Sequence, residues 1–182
     1  AYVDHPSFGA AVIGRILEAQ GLRVAIVPQP NWRDDLRDFK QLGKPRLFFG
    51  ISAGAMDSMV NTYTSNKRLR SADAYTPDGR PDMRPEYPSI VYSKILKQLY
   101  PDVPVVLGGI ESSLRRLSHY DYWQDTLRKS ILVDSQADLL IYGMGEKPIV
   151  ELVNRMKENS APGIPHDISQ IAYLRKRDDI PG

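Results

Sequence analysis

Short apolar runs alternate with amphipathic segments along the 182-residue chain. The apolar runs are nearly continuous, which is typical of parallel strands buried on both faces. They predict strands within residues 22–28, 45–54, 103–113 and 137–146. Apolar positions three and four apart predict helices at 8–21, 31–43, 89–101 and 147–159, a short helix at 56–64, and a mostly helical segment at 120–136.

This alternation predicts an α/β fold, a three-layer sandwich with a mainly parallel sheet and right-handed crossovers. Residues 1–3 are then the end of a first strand. We predict one domain over 1–160. Residues 161–182 are rich in Pro and Gly with one apolar patch, ISQIAYLR, and form either an extra strand or a linker toward a further domain.

A long insertion at 64–88 interrupts the pattern with prolines and a Pro-Asp-Gly turn signal. Its basic side chains either bind phosphate or RNA or belong to a solvated loop, and composition favours the loop. They are Lys67, Arg68, Arg70, Arg80 and Arg84.

Composition excludes several classes of site. The formal charge of +2 gives no general case for nucleic-acid or membrane binding, and no apolar run is long enough to span a bilayer. Cysteine is absent, so these residues form no disulfide, zinc-thiolate or iron–sulfur site. The three histidines lack metal-ligand spacing. We expect a cytoplasmic protein and no metal site in this chain.

Small and polar residues follow each predicted strand, where open parallel sheets bind ligands. Glycine lets a ligand approach the backbone at such a turn, although tight turns require glycine in any case. We predict a shared cleft for a cofactor or substrate, and the candidate residues are Asp4, His5, Ser7, Ser52, Ala53, Gly54, Gly108, Gly109, Glu111, Ser112, Gly143, Gly145 and Glu146.

Three groups of residues leave alternatives open. Asp4 and His5 form either an acid–base pair or a structural helix start. Glu111 and Glu146 are either paired carboxylates or residues that favour helix starts. Asp57 and Ser58 are predicted to cap a helix. The segment RRLSHYDYW, 115–123, is either a half-buried helix end or an interface, whose candidate residues are Arg115, Arg116, His119, Tyr120, Tyr122 and Trp123.

Common catalytic fingerprints are missing. No G-x-G-x-x-G follows a strand, and no P-loop lysine pattern occurs. The stretch ISAGAMDS resembles the G-x-S-x-G nucleophile elbow only loosely. These absences weaken the dehydrogenase, NTPase and hydrolase interpretations.

Five stretches together resemble the amino-terminal part of the YgiQ-like radical SAM proteins: DHPSFGAAVIGRILEAQG, AGAMDSMVNTYT, ADAYTPDGRPDMRP, VVLGGIESSLRRLSHYDYW and ADLLIYGMGEKPIVEL. The resemblance implies that a radical SAM core, with a 4Fe–4S cluster that cleaves S-adenosylmethionine, lies outside this chain. This chain would then be catalytically inert alone, and its partner would be that core.

The chain is also similar to the cobalamin-binding domains that precede many radical SAM cores, which implies a Rossmann- or flavodoxin-like fold. Asp4 and Gly9 match the D-x-H-x-x-G motif of those domains, but Pro6 stands at the His position. A corrinoid would therefore bind without that lower ligand. The alternative function is an RNA- or protein-binding module that uses the basic insertion and HYDYW.

Overall fold

The computed structural model describes residues 8–158 and 163–176. Its helices are α1 Gly9–Ala19, α2 Arg37–Lys40, α3 Ser58–Thr62, α4 Pro88–Leu99, α5 Gly109–Leu114, α6 Ile131–Ser135 and α7 Glu146–Glu158. Its strands are β1 Phe49–Ser52, β2 Val105–Gly108, β3 His119–Asp121, β4 Thr126–Arg128, β5 Leu139–Ile141 and β6 Ile171–Ala172. A short 3₁₀ helix spans Pro77–Gly79.

Four strands form one mixed, mainly parallel sheet in the order β1-β2-β5-β6. β1 runs parallel to β2, with Ser52 opposite Gly108, and β2 runs parallel to β5. β6 is antiparallel to β5. The carboxyl ends of β1, β2 and β5 therefore lie at one edge of the sheet, which we call the carboxyl edge.

Helices cover both faces of this sheet. Val105 and Leu107 of β2 pack into a cluster with Tyr92 of α4 and Ile131 of α6. The intervening Val106 packs into a second cluster with α1 and α7, which includes Leu17, Leu152 and Val153. Alternate residues of a strand point to opposite faces, so the continuous apolar run of β2 reflects burial on both sides. The prediction of an α/β fold with a mainly parallel sheet is confirmed.

Two predicted elements are wrong in type. Residues 22–28 form no strand; Val24 and Ile26 instead lie against α1, where Gly14 has no side chain to keep them away. Residues 120–136 are not mostly helical, because β3 and β4 form an antiparallel hairpin ahead of the short α6. Asp121 accepts hydrogen bonds from the backbone N–H groups of Trp123 and Gln124, and these bonds close the turn in place of a helix.

Other elements differ only in length. The helix expected at 31–43 is limited to α2, because Asn31 and Asp34 bind nearby backbone N–H groups and compete with helix formation. Gly21 and Gly43 adopt positive φ after their helices, as expected for helix stops. Residues 1–3 lie outside the described part of the chain.

The segment after α7 contributes β6, so the extra-strand alternative holds for Ile171 and Ala172. The division into a domain at 1–160 and a following linker stays a prediction. Within residues 8–158 and 163–176, no helix combines the length and apolar character that a membrane crossing requires.

Candidate functional site at the carboxyl edge

The turns that follow β1 and β2 touch each other at Gly109. A Cβ atom at Gly109 would lie 2.7 Å from Oγ of Ser52, and the φ of Gly109 is +83°. Both facts restrict this position to glycine, because other residues rarely adopt that backbone conformation and a side chain would collide. The Ser52 hydroxyl also accepts the Gly54 N–H at 3.2 Å. Ser52 therefore joins the first two turns.

Ser113 of α5 links the turn after β2 to the turn after β5. Its hydroxyl donates to the Gly109 carbonyl at 2.8 Å and accepts the Gly143 N–H at 3.2 Å. Gly143 has a φ of +71°. The structure thus brings three of the predicted strand-end segments together at the carboxyl edge. Sequence analysis missed Ser113, since a serine inside a helix gives no signal of contacts with a distant turn.

The candidate residues differ in their access to solvent. Ser52, Gly109 and Gly143 are exposed, whereas Ala53 and Ser112 are buried. A third group is half-buried and consists of Gly54, Gly108, Gly145 and Glu146. Asp4, His5 and Ser7 lie outside the described residues. Ligand binding by these residues stays a prediction.

Glu111 is fully buried and binds the amino-terminal ends of two other helices. One carboxylate oxygen accepts the Ser58 N–H of α3 at 3.1 Å, and the other accepts the Ser89 N–H of α4 at 3.2 Å. Pro88 has no N–H, so Ser89 carries the first N–H of α4. These contacts agree with the alternative in which Glu111 favours helix starts. The helices concerned are α3 and α4, whereas Glu111 itself belongs to α5.

Asp57 caps α3, as predicted, and also pairs with a buried arginine. Its carboxylate accepts the N–H groups of Met59 at 3.0 Å and Val60 at 3.3 Å. Both terminal nitrogens of Arg115 donate to the same carboxylate. Arg115, predicted as an interface residue, is 9% exposed. It therefore holds α5 to the start of α3 from inside the protein.

Tyr87 extends this network to the hairpin. The guanidinium carbons of Arg115 and Arg128 lie 5.3 Å and 5.6 Å from the centre of its ring. Its hydroxyl donates a hydrogen bond to the Asp121 carboxylate. Burial and this hydrogen bond raise the pKa of Tyr87. Burial alone would raise the pKa of Asp121, but hydrogen bonds from Tyr87 and from the backbone N–H groups of Gln124 and Trp123 outweigh it and lower that pKa.

Comparison with known proteins shows the family. A family model described as Radical SAM N-terminal matches residues 1–180. The chain belongs to this family. The resemblance to YgiQ-like radical SAM proteins is confirmed by similarity to the UPF0313 protein YgiQ of Escherichia coli, which is 53% identical over the whole chain. No solved structure matches the chain.

Other relatives of this Radical SAM N-terminal domain are closer in sequence. A UPF0313 protein of Porphyromonas gingivalis is 70% identical over 181 residues, which are 28% of that protein. A UPF0313 protein of Bacteroides thetaiotaomicron is 85% identical over 87% of this chain and 26% of its own length. The Escherichia coli match covers 24% of YgiQ. The chain therefore spans about a quarter of the length of these relatives.

The interface candidates of the Radical SAM N-terminal domain fall into two groups. Arg116 and His119 are half-buried, and Arg116 lies 5.0 Å from the ring centre of Tyr142. Tyr120 and Tyr122 are exposed, and Trp123 is half-buried. The segment 115–123 therefore begins at the buried carboxyl end of α5, at Arg115, and continues from His119 into the hairpin.

The insertion of the domain is held by a buried ion pair. The guanidinium of Arg84 donates to Asp73 at 2.8 and 3.0 Å, and both side chains are less than a tenth exposed. Arg84 is therefore unavailable for phosphate, which corrects its place among the candidate phosphate ligands. Arg80 pairs with Asp78 in solvent.

We predict that Glu111→Gln lowers the free energy of unfolding of the 182-residue chain by about 2–3 kcal/mol. The change removes the negative charge and replaces one acceptor oxygen by a donor that faces a backbone N–H. Urea unfolding followed by circular dichroism measures the difference.

Glu146→Gln is the matched control, because it makes the same chemical change at the half-buried first residue of α7. There only the interaction with the helix dipole weakens, at a cost below about 1 kcal/mol. Equal losses in the two variants would contradict the role of Glu111.

Proposed function

We propose that this chain is an accessory domain of a radical SAM enzyme that presents a substrate at the carboxyl edge and is catalytically inert alone. The observation that carries this proposal is the meeting of the turns after β1, β2 and β5, through Ser52 at Gly109 and through Ser113 at Gly143. Ligands of open parallel sheets bind at this location. Membership of the Radical SAM N-terminal family is the reason for proposing a radical SAM enzyme.

The radical chemistry belongs to the rest of the polypeptide in this proposal. Membership of the family implies a 4Fe–4S cluster and S-adenosylmethionine in the full-length protein, where the cluster cleaves S-adenosylmethionine. This chain has no cysteine, and the described residues hold no group of three or more potential metal ligands. Neither the cluster nor its ligands are therefore assigned to this domain.

The sequence lacks the lower histidine ligand of a corrinoid. Pro6 stands where cobalamin domains carry that histidine. The three parallel strands and two covered faces support a Rossmann- or flavodoxin-like fold, which does not itself require cobalamin. The proposal therefore assigns a substrate, and no corrinoid, to this edge.

The experiment compares Gly109→Ala with Gly79→Ala in the full-length protein. Both glycines have positive φ, but a Cβ at Gly79 meets no atom within 4 Å, whereas one at Gly109 meets Ser52. The two variants share backbone strain of about 1–3 kcal/mol, and only Gly109→Ala displaces the carboxyl edge. The matched pair therefore separates the effect on the edge from general destabilisation.

We expect both variants to keep their iron content and their basal cleavage of S-adenosylmethionine to 5′-deoxyadenosine. Addition of the small-molecule fraction of a cell extract should stimulate cleavage in Gly79→Ala but not in Gly109→Ala. Loss of the cluster or of basal cleavage in Gly109→Ala alone would place the edge in the radical site and contradict an accessory role. Equal stimulation of both variants would contradict substrate binding at the edge.

A second candidate function is binding of single-stranded RNA, which one observation favours. The insertion contacts the hairpin: Lys67 lies 4.7 Å from the ring centre of Tyr122, and Tyr63, which directly precedes the insertion, packs against Trp123 at 5.6 Å. The Tyr122 hydroxyl donates to the Ser65 carbonyl at 2.7 Å. Aromatic rings beside cationic side chains are the elements of such surfaces.

Removal of charge from this surface tests the RNA function. A plot of the logarithm of the binding constant for an oligoribonucleotide against the logarithm of the salt concentration has a slope that reports the number of phosphate contacts. We expect the double variant Lys67→Ala and Arg68→Ala to reduce the magnitude of this slope by about 1.4, because two phosphate contacts are lost. Fluorescence anisotropy at several salt concentrations measures the slope. The control removes two exposed arginines elsewhere, Arg15 and Arg37. Absence of binding at low salt, or the same change in the control, would exclude this function.

A further inference from the structure

Exposed apolar side chains are concentrated in the segment that runs from α5 to the hairpin. Of the sixteen large apolar side chains that are exposed in the described residues, six fall within 110–127. We define the apolar face by five of these six together with Met144, which follows β5. Its members are Ile110, Leu114, Leu117, Tyr120, Leu127 and Met144, with Leu127 at 81% and Met144 at 72% exposure.

The orientation of α5 places part of this apolar face outward. Glu111 and Ser112 lie on the buried side of α5, where Glu111 binds the starts of α3 and α4. Ile110 and Leu114 are four residues apart and share the opposite side. Because Glu111 fixes the rotation of the helix, Ile110 and Leu114 cannot turn inward without breaking its hydrogen bonds.

The hairpin lies next to the end of α5, because Tyr87 contacts both Arg115 and Asp121. Tyr120 lies directly opposite Leu127 in the ladder, so both side chains project from one side of the hairpin. Asp121 lies on the other side and is buried by its contact with Tyr87. The outer side of the hairpin therefore exposes the Tyr120 ring, whose hydroxyl donates to Asp125, and the Leu127 side chain, and the inner side is anchored to the domain.

Charge argues against a nucleic acid or an anionic membrane on the apolar face. Its six members are uncharged, and the neighbouring arginines are engaged within the domain. Arg115 pairs with Asp57, and Arg116 donates to the Ser113 carbonyl at 2.7 Å while lying over Tyr142. Clusters of exposed apolar side chains are uncommon on monomeric proteins and mark contact surfaces.

We propose that the apolar face is the docking surface for the rest of the same polypeptide, outside residues 1–182. The matching relatives are about four times as long as this chain, so most of each polypeptide is tethered to the domain. A tether raises the local concentration of that partner far above that of any free one. The proposal rests on the proposed function, because docking here places the radical chemistry beside the carboxyl edge.

Hydroxyl-radical footprinting of the full-length protein tests this surface. The probe is the hydroxyl radical, and mass spectrometry measures its reaction with each side chain. Leu42 and Leu174 serve as references, with exposures of 61% and 54%. Leu42 precedes β1, and Leu174 follows the antiparallel β6, so both lie toward the opposite edge of the sheet.

We expect Leu114, Leu127 and Met144 to react at least about threefold more slowly than the references, after correction for intrinsic reactivity, because the centre of an interface excludes water. Reaction at the rate of the references would overturn the proposal. The double variant Leu114→Gln and Leu127→Gln should restore fast reaction at Met144, whereas Leu42→Gln should not.

Two further measurements identify the occupant. Protection that disappears on about tenfold dilution indicates a second copy and overturns the proposal, since a tethered partner is independent of concentration. Protection that disappears after nuclease treatment indicates RNA and also overturns it. Footprinting needs no substrate, so its result is separate from the stimulation assay with Gly109→Ala.

Discussion

The arrangement of the carboxyl edge depends on one buried carboxylate. Glu111 comes from α5 but binds the first backbone N–H of α3 and the first N–H of α4. Such groups have no partner within their own helices, and burying them without an acceptor is costly. A carboxylate supplies acceptors for both, and the partial positive charge at helix amino termini favours its negative charge. Glu111 thereby holds α3, α4 and α5 in a fixed arrangement.

A second set of polar contacts extends this geometry outward. Asp57 binds the next two N–H groups of α3 and pairs with Arg115, Arg115 packs on Tyr87, and Tyr87 binds Asp121 at the start of the hairpin turn. Tyr87 adopts a φ of +50°, which is unusual for a bulky residue and is maintained only where surrounding contacts impose it. The network therefore fixes the hairpin relative to the sheet, and with it the apolar face.

This rigidity suits the proposed accessory role. A presenting surface must keep its position relative to a catalytic part that lies elsewhere in the polypeptide, and loops supported by a rigid scaffold are the usual place for such contacts. The Ser52–Gly109 and Ser113–Gly143 contacts position the turns. Glu111 and Arg115 position the helix behind them. The carboxyl edge and the apolar face share α5, so this helix would connect the proposed substrate presentation to the proposed docking.

The sequence predicts the central part of the fold well because β2, β5, α4 and α7 have strong periodicity and burial on defined sides. It fails at 22–28, where an apolar run packs on a helix that has a glycine at the contact, and at the hairpin, where one aspartate closes the turn. The turns of the carboxyl edge were predictable from their glycines. Tyr87 and Ser113 were not, because their partners are distant in the sequence and only the fold brings them together.

Amide hydrogen exchange at Ser58 and Ser89 in the 182-residue chain, resolved by residue, tests the role of Glu111 most directly. The first N–H groups of a helix normally exchange fast, and α1, whose N-cap residue Phe8 has no side-chain acceptor, provides the reference at Ala10 and Ala11. The account predicts that Ser58 and Ser89 exchange at least about a hundredfold more slowly than this reference, as expected for N–H groups released only by opening of the core. Exchange of both serines at the rate of Ala10 and Ala11 would contradict it.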